Sequence, residues 1–85
     1  MTQETESVVE LVEVIAKSLV DTPDEVEVDA VDGTQSCVIE LSVDPSDLGK
    51  VIGKKGRTAK SVRTLLSAVS MKYNHRYTLE ILEDD

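Results

Sequence analysis

The sequence contains no tryptophan and no phenylalanine, and Tyr73 and Tyr77 are its only aromatic residues. A core without large rings must be filled by valine, leucine, isoleucine and alanine, which limits the apolar area each residue can bury. There is one cysteine, Cys37, which excludes an internal disulfide and fits a reducing cytosol. No apolar run approaches the ~18 residues of a membrane span. The opening Met1-Thr2-Gln3-Glu4 lacks the basic and apolar regions of a signal peptide. These absences predict a soluble, cytoplasmic chain with no membrane contact. Its 85 residues leave room for one core, so a single domain over 1–85 is expected, ordered from about 5 to 82.

The net charge of −8 argues at first against a polyanionic partner, but basic residues are nearly absent from one region and acidic residues absent from another. Met1 to Asp47 holds thirteen acidic residues and one basic residue, Lys17. Leu48 to Leu79 holds eight basic residues (Lys50, Lys54, Lys55, Arg57, Lys60, Arg63, Lys72 and Arg76) and no acidic one. Scattered cations merely solubilise a surface. A single sign over some thirty residues predicts a surface facing a polyanion, on a body that repels it.

Hydrophobic spacing supplies the elements. Val8, Leu11, Val12, Ile15 and Leu19 follow a helical period, and Glu13 to Lys17 is an i,i+4 pair. A helix is predicted from about Thr5 to Val20, stopped by Thr22-Pro23. The period then becomes two: Val26, Val28 and Ala30 share one face of a strand over Glu25–Ala30. Asp32-Gly33 signals a turn. Cys37, Ile39, Leu41 and Val43 point inward on a second strand from about Ser36 to Val43, completing an antiparallel hairpin. Asp44 suits an N-cap, Pro45 the first helical position, and Asp47 the acidic partner of a capping box. The helix begun there is short, because Gly53 arrives within about two turns. A longer one runs from about Arg57 to Met71, with Ala59, Val62, Leu66 and Val69 as its buried stripe. After a turn at Tyr73-Asn74-His75, a last strand over Arg76–Leu82 places Tyr77, Leu79 and Ile81 on one side. The tail Glu83-Asp84-Asp85 is expected to fray. This order predicts an α+β fold, a three-stranded sheet with helices packed on one face.

One stretch carries chemistry: Lys50-Val51-Ile52-Gly53-Lys54-Lys55-Gly56-Arg57. In a helix–Gly-x-x-Gly–helix junction, glycines turn the backbone tightly and let a sugar-phosphate chain come close. Amides at the start of the next helix face that phosphate, and the helix dipole favours its charge. Lys54 and Lys55 add charge at the loop tip, and Arg57, Lys60 and Arg63 continue it. Val51 and Ile52 are expected to floor the groove for unstacked bases. Alone, Gly-x-x-Gly is a common tight turn. Together with the Val-Ile before it, the lysines inside, the basic flank and the element order, it predicts a binding loop.

Val51-Ile52-Gly53-Lys54-Lys55-Gly56 resembles the KH signature, in which a Gly-x-x-Gly loop clamps about four nucleotides. Two strands before the loop and one after resemble the type II version of that fold. Ile15 to Val20, Pro23 to Val26 and Asp47 to Lys60 together resemble the bacterial single-KH RNA-binding proteins of the KhpA, or YlqC-like, family. The resemblance implies broad binding of single-stranded RNA as a chaperone or regulator. It also implies a homodimer, a heterodimer with a larger KhpB (Jag-type) KH protein, and a link to cell-envelope growth and cell shape. No cofactor and no small-molecule substrate are implied. Thr58 departs from the family at a position commonly aliphatic, which predicts looser packing there.

Other chemistries find little support. His75 lies in a turn without a nucleophile or carboxylate pattern around it, and is read as a solvated loop side chain. Cys37, alternating inward among apolar neighbours, is read as structural rather than nucleophilic. Asp29, Asp32 and Asp44 lack EF-hand spacing, and no Cys/His cluster suggests zinc. Ser46, between Pro45 and Asp47, lacks the context of a carrier-protein attachment site, and the period-two segments contradict an all-helical carrier. The serious rival is a protein–protein adaptor on the same fold. Opposite the core stripe of the long helix, Ser61, Thr64, Ala68 and Met71 would let another helix approach closely and form a dimer interface.

Overall fold

The computed structural model describes residues 2–83, so the fraying expected at Asp84 and Asp85 lies outside the described residues. Helix α1 spans Gln3–Leu19. Its start is fixed by Thr2, whose hydroxyl oxygen accepts from the Thr5 backbone N–H at 3.1 Å, and Glu4 and Glu6 sit where the helix dipole favours them. The Glu13–Lys17 pair forms at 3.8 Å. The buried stripe is Thr5, Val8, Val9, Val12 and Ala16, while Leu11 and Leu19 remain more than a third exposed. The expected stripe is therefore rotated by part of a turn, because α1 wedges between the sheet and a second helix instead of lying on one flat neighbour.

Proline 23 ends the helix as expected, but Pro23–Glu25 forms a 3₁₀ turn, and strand β1 begins later, at Glu27–Asp32. Val26 is buried just before the strand. Strand β2, Ser36–Ser42, buries Cys37, Ile39 and Leu41 in strict alternation. The two strands pair antiparallel, with Ala30 opposite Ile39, and the Gly33 N–H donates to the Ser36 carbonyl at 2.7 Å to close the turn.

Asp44 caps the next segment, accepting from the Ser46 backbone N–H at 2.9 Å and from its hydroxyl at 2.7 Å. Those contacts hold the Asp44 carboxyl below its usual pKa. A 3₁₀ turn over Pro45–Asp47 leads into the five-residue α2, Leu48–Ile52. Helix α3 spans Arg57–Tyr73, burying Ala59, Val62 and Leu66, and ends at Asn74 in the left-handed conformation, which asparagine tolerates. Strand β3, Arg76–Ile81, then pairs parallel to β2, with Ile39 opposite Leu79. Parallel pairing requires a crossover, and α2 and α3 provide it.

The sheet order is β1-β2-β3, with β2 central and β3 a free edge. Burial of Cys37, Ile39, Leu41, Tyr77 and Leu79 against Val8, Val12, Ala16, Val62 and Leu66 places the core between the sheet and the helices. The other sheet face is open. Its register sets Asp29 opposite Glu40 and Glu40 opposite Glu80, a row of carboxylates across all three strands. Burial, with Asp32 adding less, pushes the Cys37 thiol up to about 11. The thiol stays protonated at neutral pH, as suits a structural cysteine.

Candidate nucleic-acid interface

The junction between α2 and α3 is built by backbone conformations that only certain residues accept. Gly53 has φ 79° and ψ 167°, a region almost confined to glycine. A Cβ there would also run into Thr58, 2.7 Å from its Cβ and 2.8 Å from its backbone nitrogen. Thr58 thus packs closely on Gly53, and the looser packing expected at that position is not found. Gly56 has φ 74° and ψ 14°, but a Cβ there would meet nothing within 4 Å. It is needed for its torsion and leaves open space above the loop. Between them Lys55 is itself left-handed, at φ 58° and ψ 24°, at a cost of about 1 kcal/mol. The Gly56 N–H closes the turn on the Gly53 carbonyl at 3.0 Å.

No side chain caps the start of α3, and although the Arg57 N–H donates to the Lys54 carbonyl, the helix dipole at that end is available to an anion. Lys54, Lys55, Arg57, Lys60 and Arg63 are all exposed on this loop and the helix that follows it. The structure thereby gathers five of the expected cations on one continuous surface.

Two expected site residues fall elsewhere or do something else. Val51 is 3% exposed and belongs to the core, so a groove floor falls to the half-buried Ile52 alone. The Lys50 ammonium lies 3.2 Å from the Asp21 carboxylate and 3.5 Å from that of Asp47. Asp21 chiefly, and Asp47 in addition, hold its pKa above the usual value. Its charge is already matched by carboxylates.

Asp47 is not the capping-box partner it resembles. Its side chain is 1% exposed, and its oxygens accept the backbone N–H groups of Asp21 at 3.2 Å and Thr22 at 3.0 Å. The 3₁₀ turn over Pro45–Asp47 directs the carboxylate inward, toward the chain leaving α1. Asp47 thus pins the end of α1 to the start of α2 and fixes where the glycine loop stands.

Along the far side of α3, Ser61, Thr64, Ala68 and Met71 are exposed, Met71 at 84%, with Leu65 beside them at 51%. The Ser61 and Thr64 hydroxyls donate back to the carbonyls of Arg57 and Lys60, at 2.9 and 3.0 Å. This face therefore presents mostly carbon to solvent. His75 is half-buried, its ring centroid 5.0 Å from that of Tyr77, rather than a solvated loop side chain.

The family model for the KhpA/KhpB KH domain matches residues 9–81. The chain belongs to the KhpA/KhpB KH-domain family. Among its KH relatives, the RNA-binding protein KhpA of Clostridium acetobutylicum is 56% identical over 73 residues, which cover 86% of this chain and 97% of that protein. The KhpA proteins of Aquifex aeolicus and Borreliella burgdorferi are 53% and 51% identical, covering 87% and 88% of this chain and 94% and 92% of theirs. A crystal structure of Aquifex aeolicus Era bound to GDP and aluminium fluoride superposes with a TM-score of 0.57 at 24% identity. That match covers 87% of this chain but 29% of the Era chain, and shows a shared fold.

Arg76 belongs to the basic run, but a cation at the start of a strand carries no motif that marks it as a site residue. It lines the same α3–β3 cleft as Arg63.

Proposed function

We propose that this protein binds single-stranded RNA by clamping its backbone at the Gly53–Gly56 loop. One observation carries the reading: two positive-φ glycines hold Lys54 and Lys55 above the uncapped start of α3. Phosphate approaches over Gly56, where no Cβ intrudes, and meets amides, helix dipole and ammonium groups together. Arg57, Lys60 and Arg63 extend the path, and Ile52 gives a base an apolar surface. Lys50 contributes mainly by steadying α2. Relatives named as RNA-binding proteins share most of the chain. With about four nucleotides clamped and no aromatic stacking surface, affinity is on the order of micromolar at physiological salt, with little sequence preference. Such weak, broad binding suits a cytoplasmic RNA chaperone or regulator acting with a second KH protein of the KhpB (Jag) type.

Charge reversal tests the reading. Lys54→Asp with Lys55→Asp leaves both glycines in place, and aspartate tolerates the left-handed position 55. Stability should change by no more than about 0.5 kcal/mol. Affinity for oligouridylate should fall roughly a hundredfold, since the helix terminus alone supplies about 1 kcal/mol. Unchanged melting with lost binding assigns the loop to RNA. Native-like binding by the double variant overturns the clamp.

A second reading rests on the carbon-rich outer face of α3. An adaptor would use Ser61, Thr64, Leu65, Ala68 and Met71 to bury a second helix, as a homodimer or against a KH partner in cell-envelope growth. Sedimentation at rising concentration reads it directly: a protein still monomeric at high concentration has no such homodimer.

A further inference from the structure

The two edges of the sheet differ. At β3, side chains of α3 reach the backbone groups that face outward. The Ser70 hydroxyl accepts from the Tyr77 N–H at 2.9 Å, and Arg63 donates to the Leu79 carbonyl at 3.5 Å. At β1 no side chain does the same. Bonded and unbonded pairs alternate along an antiparallel ladder, and the Gly33 N–H donates to the Ser36 carbonyl at the turn. The register therefore bonds Val31, Asp29 and Glu27 to β2, and turns the N–H and C=O groups of Val28, Ala30 and Asp32 outward. Among the described residues these outward groups make no hydrogen bond. Such a row is what an added strand pairs with.

The side chains around that edge define the strand it accepts. Val28 and Ala30 lie on the core face and are only half-buried, so an added strand gains by carrying apolar residues there. Glu27 and Asp29 are exposed on the open face, with Glu40 opposite Asp29. None of these three carboxylates pairs with a cation among the described residues. Helix α1, which packs against β1, adds Glu4, Glu6, Glu10 and Glu13, and its one cation, Lys17, is already paired with Glu13. A second copy of β1 would set carboxylates against carboxylates, which opposes self-pairing. RNA is repelled for the same reason. A cationic strand is attracted.

We infer that the β1 edge is a docking site for an extended protein segment in which lysine or arginine alternates with apolar residues. The segment's backbone pairs with Val28, Ala30 and Asp32. Its cations lie beside Glu27 and Asp29, and its apolar side chains extend the core over Val28 and Ala30. The two-residue period of a strand sends the two kinds to opposite faces, as this edge requires. Strand β1 lies at the far edge of the sheet from β3, and the inference stands independently of the clamp at the glycine loop.

The test titrates the intact protein with a fluorescent peptide of alternating lysine and valine, six residues long like β1 and blocked at both ends. The control peptide has the same composition, with its lysines and valines in separate halves. The alternating peptide should bind about tenfold more tightly at low salt, because only it presents one kind of side chain to each face. Amide hydrogen exchange should slow at Val28 and Ala30 on binding and stay as it was at Val31, which already bonds to β2. Glu27→Lys with Asp29→Lys should weaken binding at least about tenfold. Ala30→Pro removes an outward N–H without breaking a bond to β2, and should weaken binding to a similar degree. Melting of each variant checks the fold, and if the proline variant fails to fold, exchange in the native protein decides. Absent binding, equal binding of the two peptides, or binding without slowed exchange at Ala30 overturns the inference. Exchange at Val28 and Ala30 that slows with rising protein concentration, without peptide, gives the edge to a second copy and overturns it as well.

Discussion

The α3 side and the open sheet side of this small domain carry opposite charge for opposite reasons. On the α3 side, Lys54, Lys55, Arg57, Lys60 and Arg63 stand along one loop and helix, with no acidic residue between Leu48 and Leu79. On the sheet side, Asp29, Glu40 and Glu80 face one another across three strands, an arrangement that costs stability because like charges oppose directly. The two faces lie about a sheet thickness and a helix apart, comparable with or beyond the ~8 Å Debye length at physiological salt. Each therefore acts on its surroundings almost independently. A net charge of −8 describes neither face, and an anionic ligand senses the one it touches. Under the proposed clamp, the acidic row repels RNA from the sheet side at a small cost in stability.

Four substitutions test that division, beginning with the largest effect. Asp47 is acidic but belongs to neither face. Asp47→Ala leaves the N–H groups of Asp21 and Thr22 without their acceptor and Lys50 with a single partner. We expect a loss of about 3 kcal/mol, seen as a fall of roughly 12–24 °C in the thermal midpoint. A loss under about 0.5 kcal/mol would class Asp47 with the surface carboxylates.

The loop glycines separate shape from charge on the cationic side. Gly53→Ala combines a glycine-only torsion with collision against Thr58, and should cost about 2–3 kcal/mol. Gly56→Ala pays only for its left-handed torsion, about 1 kcal/mol, yet places a methyl group where phosphate is to approach. Chemical denaturation should rank Gly53→Ala the more destabilising, and RNA titration should show weakened binding in a folded Gly56→Ala. Equal destabilisation would mean that the space over Gly56 is not open.

Glu40→Lys is the mildest change. Breaking the carboxylate row should stabilise the protein by about 0.5 kcal/mol and alter RNA affinity by no more than about twofold at physiological salt. A large gain in affinity would show that RNA also touches the sheet and would break the comparison.

Most of the element order is legible in the sequence, because it is written in local spacing. Period 3.6 around Val8 and Val12, period 2 around Ile39 and around Leu79, and the glycine pair each need only a few neighbouring residues to be read. The parts that were not legible depend on distant partners. Asp47 sits where a capping-box acid belongs, and nothing nearby reveals that its oxygens serve Asp21 and Thr22, 26 and 25 positions earlier. Lys50 looks like one more cation of the loop until the fold brings Asp21 beside it. Val51 and Ile52 are adjacent and equally apolar, and only the packing of α2 decides that the first is core and the second half-exposed. The outer row of carboxylates and the cleft at Arg76 both depend on strand register and on β3 lying at an edge, which no single segment specifies.

The parallel pairing of β2 with β3 also sets the order in which the molecule can assemble. The β1–β2 hairpin joins neighbours in the chain, and such units form within about 1–10 μs. Strand β3 can join only after the whole crossover from Asp44 to Asn74 has folded back along the sheet, since non-local contacts repay loop closure late. On the ribosome the same constraint becomes a matter of timing. A nascent chain that has emerged only as far as α3 has its glycine loop and cations outside but lacks Tyr77 and Leu79, which hold α3 against the sheet. RNA would meet a loop without a rigid support, and the finished groove would exist only once β3 had been made.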